Sequence, residues 1–177
     1  MAEATKDVHL ALHCNPVLSV LTSPSITPTT YLTALRVLGR FLAAVEAERV
    51  RHMVYPEFSL ATACHAVADD IGNRTFRPHT LTLRNPRELL GALYVAHGAS
   101  FGRSTFQKTV TTALPDMTHD FVSLRVSKSL WQELVQSLEN AGHEPDTFPD
   151  VVRGAEIAFA CVNDLCTAAQ TKLSTVI

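Results

Sequence analysis

Apolar residues recur at helical spacing along most of the chain, and no stretch alternates apolar and polar residues long enough to predict a strand. Glu3 to about His13 reads as a short helix, with Val8 and Leu12 on one face. Asn15-Pro16 interrupts it, residues 17–21 form a short apolar piece, and residues 23–28 are turn material. Thr27 suits a helix N-cap, with Pro28 at the first helical position. The helix that follows runs to about Met53. It repeats Leu32, Leu35, Leu38, Leu42 and Val45 at helical spacing, and its charges Arg36, Arg40, Glu46 and Glu48 fit a solvated face. Tyr55-Pro56 breaks it. Phe58 to about Ile71 predicts another helix, stopped by Gly72-Asn73, and residues 74–84 read as irregular and extended.

The stretch from Asn85 to Leu114 organises the rest. Asn85 can cap, Pro86 suits the first turn, and Glu88 is placed as in a capping box. The pattern then stays helical and apolar, yet contains Gly98 and Gly102. Each interior glycine costs roughly 1 kcal/mol relative to alanine. The two share one helix face, and with Ala99 they leave a patch of nearly bare backbone. Such a patch admits close packing of another helix, the approach of a ligand, or a bend. Pro115 ends this helix, and a connection with a possible short turn leads to Ser127. That residue caps a helix reaching about Asn140 and stopping at Gly142. A last helix starts near Pro149 and continues through Ala169. Six or so helices with short connections predict an all-α fold forming a single domain over residues 1–177, without repeats or linkers.

Composition narrows the function classes. The 177 residues suffice for a full core, and the net charge of −2 gives no nucleic-acid footprint. The opening MAEATKDVH does not read as a secretory signal, and no apolar run approaches the ~20 residues of a membrane span. A cytoplasmic protein is expected. Cys14, Cys64, Cys161 and Cys166 form no CxxC pair and no zinc spacing, so they read as reduced core thiols. No Ser/His/Asp or Cys/His set for nucleophilic catalysis stands out. Among eight histidines, His9 is the candidate metal ligand, because it lies on a partly apolar helix face. An ordinary half-buried histidine making one hydrogen bond is the competing reading.

Four segments resemble heme oxygenases, in family order and over most of the chain. ATKDVH resembles the T-x-x-x-H start that supplies the proximal histidine. GALYVAHGASFG is similar to the distal-helix motif of the bacterial, bacteriophytochrome-associated type, roughly G-A-L-Y-V-x-E-G-S-x-L-G. KSLWQELVQSLE resembles the helix that brings basic and aromatic residues to the heme edge, and AEIAFACVNDL resembles the final helix, which places a phenylalanine against heme. The resemblance implies the all-α heme-oxygenase fold, with His9 as the iron ligand and Gly98 and Gly102 lining the distal face. It implies Lys6 and Lys128 as propionate partners, and Trp131 and Phe159 packed on heme or its edge. Solvated charge competes for the two lysines, and ordinary core packing for the two aromatics.

The chain departs from the family pattern at four places. His97 stands where the bacterial relatives usually have glutamate, beside the glycine face, where a hydrogen-bonding role is expected. Ala99 replaces the aspartate of animal-type enzymes, leaving Ser100 as the candidate that holds water. Arg103 replaces the second glycine of the usual pair, adding bulk or a propionate partner, and Gln132 replaces a propionate-binding arginine. The implied activity is oxidative cleavage of heme to biliverdin, ferrous iron and carbon monoxide. It would use O2 and an external electron donor such as ferredoxin, a flavodoxin-type reductase or ascorbate, and a biliverdin-using phytochrome or iron acquisition would be its setting. Ala99, Arg103 and Gln132 favour the alternative of a heme-binding sensor or carrier that does not degrade heme. A different small-molecule reaction, as in the thiaminase-like relatives of the fold, is a third reading.

Overall fold

A computed structural model of the protein describes residues 5–72, 77–125, 127–143 and 147–174, and within these the side chains of residues 11, 13, 100, 101, 104 and 172–174 lie outside the description. The described residues form helices and connections, with no strand among them. They are α1 (Lys6–His13), α2 (Pro16–Ser19), α3 (Pro28–His52), α4 (Ala61–Asp70), α5 (Pro86–Ala113), α6 (Asp120–Ser123), α7 (Lys128–Gly142) and α8 (Phe148–Ser174), with 3-10 turns at Val20–Thr22 and Pro56–Phe58.

The helix starts follow from local chemistry. Thr27 and Thr30 form a reciprocal capping box at α3, with Pro28 in the first turn. Asn85 caps α5 by accepting from the N–H groups of Arg87 and Glu88. Glu88 differs from the expected box: its carboxylate accepts from the Arg84 N–H at 2.7 Å, one residue further back. Ser127 caps α7 by accepting from the Leu130 N–H. Gly72 closes α4 at φ +64°, a conformation that suits glycine. The helix expected from Phe58 begins at Ala61 instead, because Pro56–Phe58 forms its own 3-10 turn.

The two longest partners, α5 and α8, lie against each other and share the core with α3. Their contact depends on two glycines. A Cβ on Gly91 would collide with the Val151 carbonyl, and one on Gly154 would collide with the Glu88 carbonyl. Close helix packing is therefore the role of Gly91 and Gly154, and not of Gly98 and Gly102. One cluster of buried side chains runs from Val17 to Cys166 through all the major helices.

Two expectations need correction. Glu46 and Glu48 do not form a solvated face: Glu48 is buried, and both bind the chain segments that cross α3. Glu48 accepts from the Leu83 N–H at 2.9 Å and from Arg51, while Glu46 accepts from the Leu60 N–H, the Ser59 hydroxyl and Arg49. These irregular segments have backbone donors that no strand or helix partner satisfies, so carboxylates from α3 supply the acceptors. The cysteines are not all core thiols either. Cys161 and Cys166 are buried, but Cys14 is exposed just beyond the end of α1. No described helix is long and apolar enough to cross a membrane.

Candidate functional site

A cavity of about 280 Å³ opens between α1, α3, α5 and α8, with the turn Val20–Thr22 and α6 closing its ends. Its walls are mostly apolar. Leu38, Phe41 and Leu42 come from α3, Phe159 and Val162 from α8, and Phe121 from α6. The polar groups are few: His9 from α1, Arg103 and Thr105 from α5, and Ser19 and Thr22 opposite. A largely apolar cavity with a few placed polar groups is the usual form of a small-molecule site, and this one lies at the lower end of the size range.

The cavity brings together five of the residues singled out in the sequence: His9, Gly98, Ala99, Arg103 and Phe159. The His9 ring stands edge-on to the Phe159 ring, with centroids 6.2 Å apart and planes at 79°. Gly98 borders the cavity, and a Cβ there would meet only the Trp131 ring at 3.8 Å. Its bareness is thus not required by any neighbouring helix. Ala99 lines the same wall.

Other expected site residues lie elsewhere. Gly102 does not line the cavity; a Cβ there would press on Phe106 of its own helix at 3.3 Å. Lys6 and Lys128 are exposed outside it. Trp131 stacks on Tyr94 at 5.5 Å, so its ring forms part of the packing behind Gly98. The Ser100 side chain lies outside the described residues.

Arg103 is the most unusual group present. It is 6% exposed, and its Nε has no hydrogen-bond partner. Its guanidinium carbon stands 5.0 Å from the centre of the Phe121 ring, a cation–π contact. Burial pushes its pKa below the usual arginine value, though a guanidinium remains charged. His97 takes the hydrogen-bonding role expected of it. Its Nε2 lies 3.0 Å from the Phe58 carbonyl, so the N–H donates there. Burial pushes the His97 pKa down, which favours the neutral ring.

Three of the four thiols are held away from the thiolate form. Burial pushes the pKa of Cys64, Cys161 and Cys166 up to about 11, far from thiolate formation at neutral pH. No group of three or more side chains that could hold a metal ion occurs among the described residues.

Sequence reasoning missed Tyr94, Phe106 and Phe121 as cavity residues, although Tyr94 and Phe106 flank the bare patch at helical spacing. It also missed a second, more polar cavity behind Arg103, assembled from chain segments far apart in sequence. Compared with known proteins, the chain matches no family model, no curated protein and no solved structure.

Proposed function

We propose that the chain binds heme in the cavity beside His9 and cleaves it oxidatively to biliverdin, ferrous iron and carbon monoxide, with O2 and an external electron donor. The observation that carries this reading is the convergence of His9, Gly98, Arg103 and Phe159 on one apolar cavity. These residues come from three helices, and each was singled out by resemblance to a different heme-oxygenase segment or by a departure from it.

The residues suit heme on their chemistry. An apolar slot favours burial of a flat macrocycle, at roughly 25 cal/mol per Å² of apolar surface removed from water. His9 offers a ring nitrogen to iron. Gly98 and Ala99 leave a low wall facing the cavity. Arg103, a buried cation on the cavity wall, sets positive charge beside the carboxylate arms of heme. Heme as substrate supplies both the redox-active iron and the carbon that is oxidised, so no protein nucleophile is required. A porphyrin is bulkier than the cavity, so the walls must open to admit it. α1 is short, packs mainly on α8 and α2, and leaves Val8 and Leu10 exposed.

Arg103 also favours a second reading. A bulky cation lines the cavity where the family pattern has glycine, which suits a protein that holds heme without degrading it. One experiment separates the readings. Heme is titrated into wild type and His9→Ala and followed by absorption, and ascorbate is then added in air. The enzyme reading expects a ligand spectrum that changes in the variant, followed by a bilin spectrum in the wild type. Binding through His9 without bilin supports the carrier or sensor. Absence of binding overturns both.

A further inference from the structure

On the far side of Arg103 lies a second cavity, of about 210 Å³, whose walls differ in chemistry from the first. Ser59 and Thr62 line it at the start of α4, Ser127 lines it at the start of α7, and Arg103 and Arg125 both border it. No aspartate or glutamate is among its lining residues. The nearest acid in the connectivity is Glu46, behind Ser59 and Leu60, and Arg49 already neutralises it at 2.7 Å.

Two helices begin at this cavity. α4 has ten residues; its N-cap Leu60 offers no side-chain acceptor, and the Ser59 hydroxyl accepts only from the Ala61 N–H. α7 has fifteen residues, and the Ser127 hydroxyl accepts from the Leu130 N–H, the one first-turn N–H it takes up, and shares a hydrogen bond with the Ser129 hydroxyl. Helix starts carry unsatisfied N–H groups and partial positive charge, and both favour an anion. Helix starts alone do not make a site. Arg103 supplies the independent observation: it is 6% exposed, its Nε is orphaned, and no carboxylate pairs with it among the described residues. A buried cation without an anion is an unfinished ion pair, because desolvation has been incurred with no Coulombic return. The Phe121 ring covers one face of the guanidinium, and its Nε–H has no partner.

We propose that this second cavity binds an oxyanion, gripped by Arg103 and Arg125 and by the N–H groups at the starts of α4 and α7. A tetrahedral phosphate-like group and a carboxylate share the required chemistry. The arginines offer forked N–H donors that match either, and the hydroxyl of Thr62 adds a neutral donor. The proposal does not depend on heme, since none of these groups needs an occupant in the neighbouring cavity.

The chain provides its own reporter, because its one tryptophan, Trp131, lines this cavity. The protein without heme is titrated with sodium phosphate, and separately with sodium acetate, at ionic strength held constant with sodium chloride. Trp131 emission and calorimetry follow binding. A saturable response to phosphate identifies a phosphate-like ligand, and one confined to acetate identifies a carboxylate. Arg103→Gln is expected to weaken the saturable binding at least tenfold. Arg125→Gln, at an exposed position that leaves folding intact, is expected to weaken it several-fold. Arg36→Gln, at an exposed position on α3, is expected to leave it unchanged. The proposal is overturned if neither anion gives a saturable response, or if the response survives both Arg103→Gln and Arg125→Gln. Either failure leaves the heme reading standing, because no arm of the experiment uses heme.

Discussion

Gly154 of α8 lies directly against the carbonyl group of Glu88 on α5, with no room between them for a methyl group. Gly91 meets the Val151 carbonyl in the same way from the other side of the crossing. The obstruction in both cases is backbone, which cannot rotate aside. Gly154→Ala and Gly91→Ala are each expected to destabilise the fold by about 3 kcal/mol, at the upper end of the usual overpacking cost. Urea denaturation followed by circular dichroism measures this. A loss under 1 kcal/mol in both variants, a cost characteristic of mild substitutions, would contradict the crossing geometry.

Gly98→Ala is expected to do the opposite. Its Cβ would make only ordinary contact with Trp131, so the variant gains helix propensity worth roughly 1 kcal/mol. Gly98 borders the cavity, so heme affinity is expected to fall as stability rises. A variant that is both more stable and equally good at binding heme would remove Gly98 from the site.

Replacing the buried charge of Arg103 tests its isolation. In Arg103→Met a chain of similar length fills the space, and the desolvated cation disappears. Unfolding free energy in anion-free buffer is expected to rise by about 1–3 kcal/mol, the usual cost of a buried group left unsatisfied. A fall in stability would mean that the Phe121 contact outweighs desolvation.

Glu46 and Glu48 predict the acid limb of stability. Burial pushes both carboxyls up, but hydrogen bonds outweigh it. For Glu46 these come from Arg49, Leu60 and Ser59, and for Glu48 from Arg51 and Leu83, leaving both pKa values below the ordinary one. Their contribution is therefore complete above the unfolded carboxylate pKa of about 4.3 and lost as pH falls through the lower folded values. Thermal melts from pH 6 to pH 2 should show a shallower decline in Glu46→Gln and Glu48→Gln than in the wild type, from a lower starting point.

His97 acts in a higher window. Burial lowers its folded pKa below the unfolded value of about 6.5, partly offset by its bond to Phe58. The neutral ring is the folded form, so its contribution is present above about pH 6.5 and is lost as pH falls toward the depressed value. His97→Gln should flatten the change in melting temperature between pH 7 and pH 5. An unchanged slope would show that other groups govern that range.

The helices were legible because their ends are written in short-range chemistry. Thr27-Pro28, Asn85-Pro86 and Ser127 each mark a start that the structure keeps. The roles of Glu46 and Glu48 were hidden, since their partners at Leu60 and Leu83 are distant in sequence and their placement on α3 looks solvated. Gly91 and Gly154 were hidden for a related reason: neither is unusual until α5 and α8 are known to cross there. His9, Gly98, Arg103 and Phe159 stood out through segment resemblance, and they meet at one cavity. The second cavity had no such signal, because its residues come from α5 and from the starts of α4 and α7, and no motif spans them.

The two halves of α5 have different mechanical standing. Gly91 fixes the first half to α8 by backbone contact, while the second half, from Gly98 to Phe106, faces a void on one side. The helix is therefore a beam built in at its root by backbone, with Val110 and Leu114 seating its far end in the core, and the stretch that borders the cavity lies between these two supports. Side chains on that stretch can repack around a guest where the backbone contact at the crossing cannot.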